Sequence, residues 1–250
     1  MPSPPGRSVP RRSVLVARLR GDLGDERPGS GQQAILDELR SIILDGDAPP
    51  GTAIPVDEVA ELFGVSRIPV RESLKTLIGE GLVEHRARSG YTVAQLTLSE
   101  LSEIYILRGL LERAAMTSAI AAATPADDES ARTAYDDLCA AQEAADHRGY
   151  HRESRRFHLA LLAPAKTKRL LRMLESTWNL TEPARPMSQI PEAERAALHR
   201  EHRDMLEAFI ARDQARLLEV SAAHHQHLED SIAALPADSR LLAWSEPEAD

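Results

Sequence analysis

Three basic side chains, Arg67, Arg71 and Lys75, recur every four residues between Ser66 and Gly81. The serine is a good N-cap, a proline falls in the first turn and the glycine suits the end, so the spacing predicts a helix with these three side chains on one face. Arginine has the planar, multi-donor geometry that matches the O6 and N7 acceptors of guanine, and lysine suits phosphates, as do the first helical amides. A solvated charged face is the ordinary alternative. The residue types therefore indicate base reading in a DNA groove or simple solvation.

Histidines form a second candidate set. His202 and His224 each fall within an apolar stripe, and His158 directly follows Phe157 in a third predicted helix. Helical periodicity therefore predicts that three imidazoles converge from three helices. A single inward histidine is ordinarily a hydrogen-bonded core residue, whereas three together can hold a divalent metal such as zinc, nickel or manganese.

A charged pair, Arg108 and Glu112, lies on the predicted inward face of a long helix. Charges on a core face cost free energy unless a partner meets them. Two interpretations stay open at this point. The pair is a structural ion pair, or Arg108 binds an anionic ligand, because a guanidinium pairs well with a carboxylate.

The basic helix is preceded by two further helical segments. Residues 34–44 carry a helical apolar pattern, a Pro-Pro-Gly break follows at 49–51, and 56–63 form a short second helix. Gly64-Val65-Ser66 supplies a tight turn into the basic helix. The order helix, short helix, turn, helix is that of a helix-turn-helix.

A hairpin is predicted directly after the basic helix. Residues 82–86 and 91–93 have the composition of short strands, and the tip between them spans 87–90. This pattern predicts a wing, with Arg86 and Arg88 placed to reach the minor groove or a phosphate.

From Ser99 onward the pattern is helical almost without interruption. Helices are predicted near 99–123, 126–147, 149–163, 166–179, 191–212 and 213–234, with the longest loop at 181–190. The predicted fold class is therefore mainly α: an N-terminal winged helix-turn-helix followed by an all-α antiparallel helical bundle.

Composition limits the function classes. The 250-residue chain has a formal net charge of −9, which argues against non-specific nucleic-acid binding, yet the segment 67–88 holds five basic and three acidic residues. We therefore expect salt-sensitive DNA binding on one face. The single cysteine, Cys139, excludes an internal disulfide and fits a reducing cytoplasm, where we expect the protein.

Neither end of the chain carries a predicted membrane segment. The apolar run after Arg11-Arg12 is cut short by further arginines, so an export signal is not expected. Residues 1–29 are predicted as a flexible basic arm that touches DNA phosphates or serves as a plain tail, and 236–250 as an acidic tail.

Residues 33–94 resemble the winged-helix domain of GntR-family transcription regulators. The segments that carry the family pattern are Pro50-Gly51, Gly64–Glu72, Leu74, Leu77 and Glu80–Val83. The resemblance implies that Arg67 and Arg71 read bases of a palindromic operator in double-stranded DNA. It also implies backbone or groove contacts from Ser66, Lys75, Arg88, Ser89 and Gly90.

Residues 99–234 resemble the FCD ligand-binding domain of the FadR branch of that family, with Arg108 and Glu112 in its R-x-x-x-E pattern. Many members bind a divalent metal there, and the resemblance implies His158, His202 and His224 as ligands. Ser154 stands where the family usually has aspartate. The histidines would then hold the metal alone, or with Glu153, water or effector, and orient a carboxylate effector beside Arg108.

These observations predict a homodimeric, ligand-responsive transcription regulator of the repressor type, and not an enzyme. Its predicted domains are 1–29 (arm), 30–97 (DNA binding), 98–235 (effector binding and dimerisation) and 236–250 (tail). A small carboxylate metabolite at Arg108, His158, His202 and His224 would shift the population of two winged helices that fit the operator. The alternatives are a metal-dependent hydrolase that uses the three histidines, and a regulator that senses the metal itself.

Overall fold

The computed structural model describes residues 14–23, 31–87, 89–186 and 190–235. Between Ala94 and Gln95 the chain divides into two units, whereas the sequence predicted this boundary between 97 and 98. Most of the predicted basic arm, the predicted acidic tail and Arg88 of the wing lie outside the described residues.

The first unit is a winged helix-turn-helix, as the sequence predicted. Its described elements are α1 (Val14–Leu23), α2 (Gln32–Leu44), β1 (Ala53–Ile54), α3 (Val56–Phe63), α4 (Arg67–Gly79), β2 (Val83–Arg86) and β3 (Gly90–Val93). The strands form an antiparallel sheet in the order β1-β3-β2, in which Ala53 pairs with Thr92 and His85 with Tyr91. The apolar faces of the helices and the inward strand residues share one core.

Helix α1 corrects the prediction of a flexible arm over 1–29. Leu15, Val16 and Leu19 are buried in the core of the first unit, where α1 packs on α2, α3 and β1. Arg18 and Arg20, which interrupt the apolar run in the sequence, lie on the exposed side of the same helix. An apolar run broken at helical spacing is therefore an amphipathic helix, and residues 14–23 belong to the folded unit.

The turn between α3 and α4 sets the direction of α4. Gly64 adopts φ 66°, in the left-handed region that glycine tolerates best, and the Val65 amide donates to the Ala60 carbonyl at 3.0 Å. Ser66 occupies the N-cap position of the next helix, without a side-chain capping hydrogen bond, and Val70, Ser73, Leu74 and Leu77 of that helix are buried. Ile78 is spaced to lie beside this buried face, but its side chain is 38% exposed. It lies about 80° round the helix axis from Val70, which places it at the edge of the buried face.

The second unit is an all-α bundle. Its described helices are α5 (Leu98–Ala122), α6 (Pro125–Glu143), α7 (His147–Leu162), α8 (Lys168–Thr181), α9 (Glu192–Ile210) and α10 (Gln214–Ala233), each within four residues of the predicted bounds. Capping boxes at Thr97 and Thr124 begin α5 and α6. Helix α5 packs on α7, α8 and α10, and α9 packs on α6 and α10. Among the described helices, none is both long and apolar enough to cross a membrane.

Candidate functional site

The predicted DNA-reading residues lie on the outer face of α4. Arg67, Arg71 and Lys75 are exposed, and Arg67 forms an ion pair with Asp57 of α3. The Lys75 ammonium lies 2.8 Å from the Glu72 carboxylate on the same helix. Exposed ion pairs contribute little to stability, so both cations can exchange these carboxylates for phosphates or base edges at small cost.

One residue on this face was missed by the sequence analysis. Ile68 is 71% exposed and directly follows Arg67, which is unusual for a large apolar side chain. Its position outside the helical apolar stripe was the signal that could have identified it. In the wing, Ser89 and Gly90 lie at the start of β3, while Arg88 lies outside the described residues.

The three predicted histidines converge in the second unit. His158 of α7, His202 of α9 and His224 of α10 are all buried, and one ring nitrogen from each lies within 4.8 Å of the other two. The Nε2 atoms of His158 and His202 are 3.1 Å apart. The arrangement brings three imidazole nitrogens close enough together to bind one metal ion.

Two carboxylates orient the imidazoles of His158 and His224 by hydrogen bonds to their Nδ1 atoms. The Glu112 Oε2 atom lies 2.9 Å from Nδ1 of His158, and the Glu201 Oε2 atom lies 2.8 Å from Nδ1 of His224. Burial raises the pKa of Glu112, but the nearby His225 and His158 outweigh burial and hold that pKa well below its usual range. The ionised carboxylates accept Nδ1–H, which leaves the Nε2 lone pairs free to face the cluster.

Two imidazoles of the cluster, those of His202 and His224, are neutral near pH 7. Burial lowers the pKa of His202 well below its usual range, and the neighbouring imidazoles of His224 and His158 lower it further. Burial also lowers the pKa of His224 to about 4, although the hydrogen bond to Glu201 opposes that shift. Neutral imidazoles are the form that binds metals.

The donor set fits a divalent metal. Because His158 gives its Nδ1 proton to Glu112, a direct Nε2–Nε2 contact requires His202 to carry its proton on Nε2. Nδ1 of His202 is then a buried acceptor, and it has no hydrogen-bond partner within the described chain. With a cation held by these histidines, His202 would not need to carry its proton on Nε2. Ser154 offers only a hydroxyl where the family usually supplies a carboxylate.

Arg108 lies beside the cluster and supports both sequence interpretations. Its guanidinium approaches the Glu112 carboxylate to 3.6 Å, a loose pair. It also lies over the rings of Tyr105 and Trp178, at 4.7 and 5.0 Å from their centroids. Its Nε atom is buried without a hydrogen-bond partner among the described residues, so the guanidinium keeps a donor for a ligand.

These groups line a pocket that holds about 580 Å³ of space free of protein atoms, including its opening. Besides the predicted residues, its walls include Tyr105, Tyr150, His151, Arg155, Trp178, Glu182, Ile190, Arg195, Leu198 and Leu228, together with Ser154. Most of them were not predicted as site residues. Three could have been predicted from helical spacing, because Tyr150, His151 and Arg155 precede His158 by eight, seven and three residues and so share its face.

Two further side chains complete the polar network. Glu182 lies 2.8 Å from Nε2 of His151 and 3.0 Å from the Arg155 guanidinium. His225, also missed, donates from its Nε2 atom to Glu112 Oε2 at 3.1 Å. A Cβ atom added at Gly109 of α5 would meet the His225 ring at 3.2 Å, so α5 and α10 approach closely at this point.

Comparisons with protein families agree with both units. A model described as bacterial regulatory proteins, gntR family, matches residues 32–93, and a model described as FCD domain matches residues 103–228. A winged helix-turn-helix followed by this helical domain defines a DNA-binding transcription regulator. The chain belongs to the GntR family of bacterial regulatory proteins, with an FCD domain as its second unit.

Relatives and solved structures share this organisation. The chain is 31% identical over 194 residues to a probable D-xylose utilization operon transcriptional repressor of Paenarthrobacter nicotinovorans, covering 73% of this chain and 80% of that protein. It is 28% identical over 195 residues to the uncharacterized HTH-type transcriptional regulator YdhC of Bacillus subtilis (76% and 85% covered). The solved structure of Escherichia coli McbR/YncC has the same fold, with a TM-score of 0.70, 24% identity and 81% and 96% coverage. The families and relatives are regulators and not enzymes, which confirms that expectation and leaves the hydrolase alternative without support.

Proposed function

We propose that this protein is a dimeric transcriptional repressor whose operator binding is modulated by a small carboxylate metabolite in the FCD pocket. One observation carries the proposal. Arg108, with a free buried donor, and three buried imidazoles face the same pocket in a domain of a DNA-binding regulator. Effector binding would shift the population of conformers that fit a palindromic operator. The repressor role is supported by the Paenarthrobacter relative, which is a probable transcriptional repressor of a D-xylose utilization operon.

The DNA contacts are assigned to α4 and the wing. Arg67 and Arg71 would read base edges, because both are exposed near the start of α4 and can donate in pairs. Backbone or groove contacts are assigned to Ser66, Lys75, Arg88, Ser89 and Gly90. This assignment rests on the exposed α4 face and on the family resemblance.

A divalent metal, such as zinc, nickel or manganese, is proposed as part of the effector site. His158, His202 and His224 would hold it, and their second-shell partners Glu112 and Glu201 support that assignment. The metal would supply a Lewis-acidic centre that orients the effector carboxylate. Arg108 would pair with the same carboxylate from the protein side.

The dimer is assigned to the outer face of α5. Ile106, Leu107 and Leu110 are 47%, 49% and 63% exposed, and Ile106 and Leu110 line a surface pocket formed with α10. A second copy of this chain is the occupant that a palindromic operator requires, since two-fold symmetric DNA is bound by two-fold symmetric proteins.

Operator binding is tested first with the Arg71→Ala variant. We expect the wild-type chain to shift DNA from the region upstream of its own gene, and Arg71→Ala to bind at least tenfold more weakly because a bidentate base contact is lost. Arg132→Ala, an exposed arginine on α6, serves as the matched control and should bind like the wild type. Unchanged DNA binding by Arg71→Ala, or no shift by the wild type, would contradict the proposal.

Metal binding is tested by elemental analysis of protein purified without a nickel column. The wild type should carry about one divalent ion per chain, and His202→Ala should lose most of it because one of three ligands is gone. His85→Ala, in β2, removes a histidine from the other unit and should leave the metal content unchanged. A metal-free wild type that also takes up no added zinc, nickel or manganese would rule the metal out.

A further inference from the structure

Four buried polar atoms without partners surround the same pocket. Within the described part of the chain, no hydrogen-bond partner is found for Arg108 Nε, Tyr150 Oη, Arg195 Nε or His202 Nδ1, although all four residues are buried and line the pocket. Native proteins leave few buried polar atoms unpaired, so several in one cavity indicate a missing polar occupant.

These atoms fall into two groups. Arg108 packs on Tyr105 and Trp178, beside the histidine cluster. Tyr150 and Arg195 form the other group; the Tyr150 ring centroid lies 6.5 Å from that of His202 and 5.9 Å from that of His199. Both groups line the same pocket, so one small molecule can meet both.

The unpaired atoms of Arg195 and Tyr150 are Nε and Oη. Because Arg195 Nε can only donate, a group that satisfies both must accept hydrogen bonds. The Arg195 terminal nitrogens already lie 3.0 Å from His147 Nδ1, 3.3 Å from the Ile190 carbonyl oxygen and 3.5 Å from Glu192, which holds the guanidinium in place, while its Nε–H has no partner among the described residues. Burial raises the pKa of Tyr150, although Arg195 opposes the shift, so its hydroxyl stays protonated and can donate. Two donors that line one pocket suit an oxyanion.

The charge balance of the pocket points the same way. Among the described lining residues the acidic side chain is Glu182, which His151 and Arg155 already engage. Arg108 and Arg195 have loose carboxylate partners, Glu112 at 3.6 Å and Glu192 at 3.5 Å, so both guanidiniums can still pair with acidic groups of a ligand.

We propose that Tyr150 and Arg195 form a second recognition point for the effector, which is therefore a short diacid with one acidic group at Arg108 and the histidines and another at Tyr150 and Arg195. The inference rests on the proposed effector role of Arg108 and the histidine cluster. It adds the substrate class, a small molecule with two acidic groups, and the residues that select it.

The test compares short diacids with monoacids of equal length on the full chain. Succinate and glutarate are titrated against butyrate and pentanoate by calorimetry and by thermal shift, with wild type and Tyr150→Phe. The wild type should bind at least one diacid about tenfold or more tightly than its matched monoacid. Tyr150→Phe should lose that preference, keep its monoacid affinity and melt no lower than the wild type, because it removes only an unpaired buried hydroxyl.

Tyr135→Phe is the matched control, since this tyrosine of α6 lies outside the pocket and should leave both affinities unchanged. If Tyr150→Phe keeps the diacid preference, or weakens monoacids and diacids equally while lowering the melting temperature, the hydroxyl is structural and the inference is wrong. If the wild type binds monoacids and diacids alike, the inference fails but the proposed effector site stands. If none of the four acids binds, both fail.

Discussion

At the residue scale, Glu112 is the centre of the polar network in the second unit. Its Oε2 atom contacts His158 of α7 and His225 of α10, and Arg108 of its own helix approaches its other oxygen. The sequence predicted that Arg108 and Glu112 pair, because four-residue spacing places them on one helical face. It did not predict the histidine partners, since those contacts depend on how three helices pack and on side-chain rotamers.

Glu182 gives a pH-dependent prediction at the same scale. Burial raises the pKa of Glu182, but the hydrogen bond to His151 and the charges of His151 and Arg155 lower it below its ordinary value of 4.5. A carboxyl whose pKa is lowered by folding stabilises the protein fully above pH 4.5, and this contribution is lost as the pH falls through the lowered pKa. The wild type should therefore be more stable than Glu182→Gln near pH 7, and the difference should shrink steadily below pH 4.5.

Urea unfolding at a series of pH values measures this difference in free energy of unfolding. Glu175→Gln, an exposed carboxylate on α8, the helix that Glu182 directly follows, is the control and should change stability by less than about 0.5 kcal/mol at any pH. A wild-type advantage over Glu182→Gln that grows below pH 4.5 would contradict the lowered pKa.

At the element scale, the outer face of α5 carries the dimer prediction. Leu110→Glu places a charge on the exposed apolar face, and desolvating it at an interface is costly. We expect the wild type to be dimeric in analytical ultracentrifugation and Leu110→Glu to dissociate at least tenfold more readily, with no loss of helical content.

Met173→Glu is the matched control, because Met173 is 60% exposed on α8, outside that face. It should leave the dimer intact. A monomeric wild type, or equal weakening by both substitutions, would mean that the α5 face is not the interface.

Elements also differ in how well the sequence predicts them. Helices α5 to α10 were predicted closely because long apolar stripes and caps are local signals. Helix α1 was missed because arginines interrupt its short apolar run, and β1 was missed because two residues carry no periodic signal. Both are stabilised by packing on the rest of the first unit, which a local pattern cannot reveal.

At the scale of the whole molecule, the class of protein can be predicted from the sequence more readily than the ligand that it binds. The fold, the basic face of α4 and the convergence of three histidines follow from motifs and periodicity. The second polar group of the pocket, Tyr150 with Arg195, joins α7 to α9, residues 45 positions apart whose approach is set by the bundle. Ligand specificity therefore becomes visible only once the helices are assembled.

Gly109, which has no side chain, lies outside the pocket but is connected to its wall. His225 rests against Gly109, and the same imidazole contacts Glu112, which in turn orients His158. Neither Gly109 nor His225 lines the pocket. A single methyl group at Gly109 would press on the His225 ring and, through two hydrogen bonds, on the pocket wall. This position therefore allows the binding site to be adjusted from outside by added volume alone, with every polar group retained.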